Sequence, residues 1–146
     1  MSRGLGKFER WILAATYAKT IQHQLPEGWK MPSGYATGER QWQLDVWDAH
    51  LSRAEILLNY FHLAIADRRK PHRVCDQCFE TSPAYRTALT MLSRTLMGLY
   101  CKHLIEWDCV CFAGLTGLVQ LDGFRLTSQG LDVAERLSVD SSWPGF

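Results

Sequence analysis

Between Thr81 and Ile105 the chain has no aspartate or glutamate, although 15 acidic residues are spread over its 146 positions. Arg86, Arg94 and Lys102 fall inside that gap. Residues 68 to 105 hold seven Lys/Arg (68, 69, 70, 73, 86, 94 and 102) against two acids, Asp76 and Glu80. That is a local +5 in a chain whose total is +1, so the remainder stands at −4. Uneven charge of this kind suits a polyanionic partner, because affinity for phosphates follows the cations that are locally present and not the chain average. For Arg68 to Arg73 taken alone, a solvated charged loop accounts for the run equally well.

Other absences narrow the class. No apolar run is long enough to cross a bilayer; the uncharged stretch from Cys109 to Leu121 is short and broken by Gly114, Thr116 and Gly117. The segment WILAATYA lies between Glu9 and Lys19 and is followed by no small-x-small cleavage site, so it reads as a helix of the mature, cytoplasmic protein. No membrane partner is expected. The words G-x-x-x-x-G-K-S/T, G-x-G-x-x-G, H-E-x-x-H and G-x-S-x-G do not occur, and His23, His50, His62, His72 and His103 do not cluster. A binding protein, not an enzyme, is therefore expected.

Five cysteines leave an odd thiol and lack the spacing of a secreted disulfide framework, which favours reduced, intracellular thiols. Cys75-Asp-Gln-Cys78 is half of a zinc site, with His72, Cys101, Cys109 or Cys111 available to complete it, but no second C-x-x-C or H-x-x-x-H follows. Zinc held by Cys75 and Cys78 is one alternative, and a redox pair activated by Arg73 another. Free thiols are the simplest reading, and no cofactor is expected.

What is present describes one globular domain over residues 1–146, with 47% hydrophobic and 21% charged residues. Phe8, Ile12, Ala15, Ala18, Ile21 and Leu25 recur at helical steps until Pro26 and Gly28. Two insertions are expected, near 26–50 and 64–81. The first opens on PEGWKMPSGYATG and contains QWQLDVW, whose alternation predicts a short strand; the second carries RRKPHR and CDQC. Ser52 with Glu55 forms a capping box opening a helix whose core face is Ala54, Leu57, Leu58 and Phe61, and which extends to Leu63. Ser82 and Pro83 open another, running to Leu104, with an apolar stripe of Tyr85, Leu89, Leu92, Leu96 and Leu99. IEWDCVCF predicts a strand, AGLTGLVQLDG a glycine-bearing link in which Asp122-Gly123 turns, and FRLT a strand that pairs back. Thr127 caps a last helix closing the core with Leu131, Ala134 and Leu137.

On the face of helix 83–104 opposite its apolar stripe lie Arg86, Thr90, Arg94 and Met97, flanked by Thr87 and Ser93. Arginine can bridge two acceptors on a guanine edge or grip a phosphate, and the hydroxyls suit phosphate oxygens or base edges. Every amphipathic helix has a polar face, however, so periodicity alone does not make this one a binding surface.

Three words, LSRAEILLNYF, LSRTLMGLYCKHLI and FRLTSQGLDVAERL, follow one another between Leu51 and Leu137. In this order the chain resembles the winged helix-turn-helix proteins of bacteria and archaea, the broad class that includes MarR-like and PadR-like transcriptional regulators. The resemblance implies an α+β, mainly helical fold with a small antiparallel wing, here carrying the two insertions. It implies a protein that regulates transcription by binding double-stranded DNA as a homodimer, with helix 83–104 in the major groove and residues 105–127 as the wing. The implied nucleic-acid contacts are Arg86, Thr87, Thr90 and Arg94 on the helix and Arg125 near the wing. Where the family has glycine before the exit from the recognition helix, this chain has His103, and Glu106 and Asp108 place acids on the first wing strand. Trp11, Leu13 and Tyr17 add apolar residues beyond one stripe of the first helix, a candidate dimer face. The rival readings are a winged-helix module that binds protein through the tryptophans of the first insertion (Trp29, Trp42, Trp47), and the Cys75/Cys78 zinc or redox protein.

Overall fold

A computed structural model describes residues 4–30, 49–63, 83–114 and 117–139. In chain order the elements are α1 (Lys7–Thr20), β1 (Leu51–Ser52), α2 (Arg53–Asn59), α3 (Pro83–Cys101), β2 (Ile105–Gly114), β3 (Gly117–Leu126) and α4 (Ser128–Val139). The described residues thus form an α+β, mainly helical fold with a small antiparallel sheet ordered β1-β3-β2. The strand predicted at QWQLDVW, with Trp42 and Trp47, lies outside the described residues, as do Cys75 and Cys78. No helix among those described is long and apolar enough to cross a membrane.

α1 is the central element. Glu9 accepts the Gly6 N–H at 3.0 Å and so ties down the first turn. Phe8, Ile12, Leu13, Ala14, Ala15 and Ala18 are all buried, and the small alanines let α4, β3, α3 and β1 close around the helix. Leu13 is wholly buried inside its own chain, which removes it from the dimer face expected from the sequence. The helix also stops at Thr20, short of Leu25. His23 takes a left-handed backbone (φ 54°) and the Gln24 N–H folds back onto Ala18 O at 2.9 Å, leaving Ile21 and Leu25 exposed although they continue the apolar period.

α2 begins as its capping box requires: Ser52 Oγ accepts from Glu55 N at 3.3 Å, and the Ser52 N–H donates to Glu55 Oε2 at 3.0 Å. It ends at Asn59, not Leu63, because His62 is also left-handed (φ 55°). Beyond that end, Tyr60 and Phe61 join Phe8 and Trp11 in an aromatic cluster: Phe8 stacks on Tyr60 at 4.2 Å, and Trp11 meets Tyr60 edge-on at 5.0 Å.

α3 starts at Pro83, where the missing N–H costs nothing, and buries Tyr85, Ala88, Leu92, Leu96 and Leu99. Each fully buried leucine contributes about 1.5–3 kcal/mol. The helix ends on a Schellman motif built around His103 (φ 61°): the His103 N–H donates to Tyr100 O and the Leu104 N–H to Leu99 O, both at 3.0 Å. The left-handed exit that glycine normally supplies is made here by histidine. Buried Leu104 and Leu99 provide the apolar partners that accompany the motif.

The hairpin is longer than the sequence suggests. β2 and β3 pair from Ile105↔Leu126 to Gly114↔Gly117, so Asp122 and Gly123 lie inside β3, opposite Cys109 and Asp108, and are not a turn. Gly123 serves another purpose. It pairs with Ser52, and a Cβ there would fall 2.8 Å from His50 Cβ, so its bareness lets β1 lie against β3. Thr127 then couples the end of α3 to α4: its hydroxyl donates to His103 O and accepts from the Gly130 N–H at 3.0 Å. On α4 the buried positions are Gly130, Ala134 and Leu137; Leu131 is only partly covered, and Gly130 takes the close contact instead.

Candidate nucleic-acid interface

With Leu92, Leu96 and Leu99 in the core, the helical repeat points Thr87, Thr90, Arg94 and Cys101 outward. Arg86, Thr87, Thr90 and Arg94 are all exposed, and with Met91 and Thr95 they line an open depression along α3. The four helix residues expected at a nucleic acid therefore share one solvent-facing surface. Arg86 and Arg94 are eight residues apart, about 12 Å along the axis at 1.5 Å per residue. Neither makes an ion pair or side-chain hydrogen bond among the described residues.

The threonines are not equivalent. Thr90 Oγ1 donates to Arg86 O at 3.0 Å, and Thr95 Oγ1 to Met91 O at 2.8 Å. In these rotamers each hydroxyl keeps acceptor capacity but has spent its proton, so Thr90 must turn before it can donate to a phosphate. No such bond holds Thr87 among the described residues.

Lys102 and Arg125 behave differently from the two α3 arginines. Lys102, third cation of the acid-free stretch, reaches Glu9 Oε2 at 2.9 Å and Gly4 O at 2.8 Å, which binds the end of α3 to the start of α1. Arg125 Nε donates to Glu106 Oε1 at 2.7 Å across the β2–β3 pair, both side chains being about half exposed. The arginine expected near a wing thus starts out neutralised, by one of the two acids noted on β2.

The sequence did not single out two further clusters. Lys19 Nζ donates to both oxygens of Glu55, at 2.6 and 2.7 Å, with the two side chains 2% and 0% exposed. Ser52 N and Oγ, each at 3.0 Å, and Trp29 Nε1 at 3.4 Å also donate to Glu55. Trp29 also stacks on Trp11 at 5.8 Å and is partly buried, so it is an internal fastener and not a free partner surface. Closed from solvent and saturated, this cluster holds α1 to α2. At the other cluster, Arg53 lies over the Trp107 ring, 5.0 Å from its centroid. Glu55 was visible as a cap, but its union with Lys19 and the Arg53–Trp107 stack join residues far apart in sequence, with no local signal.

Cys101 is exposed with a free thiol, and no group of three His, Cys, Asp or Glu able to hold a metal occurs among the described residues. Comparison with protein-family models, curated proteins and solved structures gives no match.

Proposed function

We propose that this chain is a winged helix-turn-helix protein that binds double-stranded DNA and acts as a cytoplasmic transcriptional regulator. α3 enters the major groove, whose width of about 12 Å admits a helix, and the β2–β3 hairpin lies beside it as the wing. In favour of this reading, the turn-motif helix, the long helix, the first wing strand, the return strand and the closing helix follow in the implied order, with β1 added to the return strand. The observation that carries it is the exposed, acid-free face of α3 on which Arg86 and Arg94 stand without an ionic partner among the described residues. A bidentate arginine–guanine pair discriminates by about 1–3 kcal/mol, and phosphate neutralisation supplies affinity that falls with salt. No bond of the DNA is made or broken. Binding as a homodimer to half-sites about one helical turn apart belongs to the same proposal, through a surface other than buried Leu13.

Titration of labelled mixed-sequence duplexes across a salt series tests it. The expected outcome is binding that weakens steeply with salt and weakens further in Arg94→Ala. Flat anisotropy at low salt defeats the reading.

One observation favours a second reading. Met91, Met97 and Tyr100 are 46%, 54% and 47% exposed on the same helix, and methionine, tyrosine and arginine are the residues enriched where proteins meet. A winged-helix module that binds a protein through α3 would show no affinity for duplex DNA even at low salt.

A further inference from the structure

Arg53 is the first residue of α2, where β1 passes into the helix. Its guanidinium is held by the Trp107 ring at 5.0 Å, and Trp107 is fixed in turn by an edge contact at 5.9 Å with Phe124, which is wholly buried. The contact is therefore anchored in the core. Arg53 Nε is buried and meets no acceptor among the described residues, and the side chain makes no ion pair there.

The nearby acids among those described, Glu55 and Glu106, are committed elsewhere. Glu55, two residues along, has both oxygens taken by Lys19, Ser52 and Trp29. Glu106 adjoins Trp107, but successive strand residues project to opposite faces, and Glu106 holds Arg125 there. A guanidinium cannot shed its charge and carries five donors in a rigid fork. A partly covered one without an acceptor is costly, and the cost is recovered when an oxyanion arrives. A cation held over a ring does not spend its hydrogen-bond donors on it, and a guanidinium can take two oxygens of a phosphate.

We propose that Arg53 is a phosphate-binding residue that grips the backbone of the same duplex whose groove receives α3. This rests on the DNA-binding reading and adds a contact that positions the protein without reading sequence. With Arg125 occupied by Glu106, Arg53 is an arginine beside the hairpin with no ionic partner among the described residues; its Nε is buried, so the phosphate falls to the terminal nitrogens of the fork.

Anisotropy titrations over a salt series, on several duplex sequences, compare the wild type with Arg53→Gln, Arg53→Lys and, as a charge control on α4, Arg136→Gln. Arg53→Gln is expected to weaken binding about tenfold on every sequence and to lower the magnitude of the salt slope by about one. Arg53→Lys keeps the slope but loses several-fold in affinity, since an ammonium lacks the planar fork. Arg136→Gln is expected to leave both unchanged. Thermal melts check that each variant folds; if Arg53→Gln does not, Arg53→Lys decides, and unchanged affinity in it overturns the proposal. Wild-type affinity and slope in Arg53→Gln, or equal losses in Arg53→Gln and Arg136→Gln, overturn the Arg53 contact while DNA binding stands. A wild type that binds no duplex overturns both.

Discussion

The Lys19–Glu55 cluster and the outer face of α3 treat charge in opposite ways. In the first, an ammonium and a carboxylate are sealed from water and every carboxylate oxygen is occupied. In the second, Arg86 and Arg94 stand in solvent with no acid beside them among the described residues. Lys102–Glu9 and Arg125–Glu106 fall between, paired but open to solvent on at least one side, and pairs at the surface contribute at most about 1 kcal/mol. The contrast separates charges that hold the fold from charges the fold only displays. Among the described residues Arg86 and Arg94 form no ion pair that holds the fold, which leaves them available for the proposed duplex.

The sharpest way to break that division is to delete one member of each region. Glu55→Ala leaves the Lys19 ammonium buried without the Glu55 counter-charge and removes the carboxylate half of the α2 capping box, and is expected to cost about 3–5 kcal/mol. Such a loss rivals the whole stability of a small domain and is read by chemical denaturation. Arg94→Ala, in the same experiment, should move stability by less than about 0.5 kcal/mol while weakening duplex binding by about 1–3 kcal/mol at fixed salt. If Arg94→Ala unfolds the protein, or Glu55→Ala leaves it stable, the division is wrong.

A second test concerns the junction carrying α3 into α4. A Cβ at Gly130 would sit 1.9 Å from Leu104 O, and the obstacle is backbone, which cannot rotate away. Gly130→Ala should therefore destabilise by about 1–3 kcal/mol despite alanine's better helix propensity, with a lowered melting temperature as readout. An unchanged melt would mean that α4 sits less tightly on the α3 exit than described.

Much of the fold was legible because its signals are local. The Ser52/Glu55 box, Pro83 and the Thr127 cap each act within one turn and stand where expected, and the apolar stripe of α3 is buried as expected except that Ala88 takes the core position expected for Leu89, which is only partly covered. The sequence misled where a distant contact overrides a local word. Asp122-Gly123 reads as a turn, yet the glycine is needed because His50 and β1 crowd it. Ile21 and Leu25 continue the period of α1, but the helix ends at Thr20 and the chain turns at His23, between the two. The exposure of Arg86 and Arg94 followed from periodicity, whereas the capture of Arg125 by Glu106 and the stack of Arg53 on Trp107 depend on strand register and on α2 meeting β2. No word in the sequence encodes either.

The smallest effect bears on the exit of the displayed helix. His23, His62 and His103 all have positive φ and each follows a helix, so this chain repeatedly uses histidine where glycine is the usual choice. A left-handed backbone costs a residue with a Cβ about 1–2 kcal/mol, while glycine adds entropy to the unfolded chain and returns part of that gain. His103→Gly is accordingly expected to raise stability by about 0.5 kcal/mol, because the Schellman bonds of His103 and Leu104 are backbone bonds that glycine keeps. Duplex affinity should not change, since the substitution touches neither Arg86 nor Arg94. A loss of affinity in a variant at least as stable as the wild type would show that the His103 side chain belongs to the displayed surface, and the line between the two regions would then run through the end of α3 and not along its length.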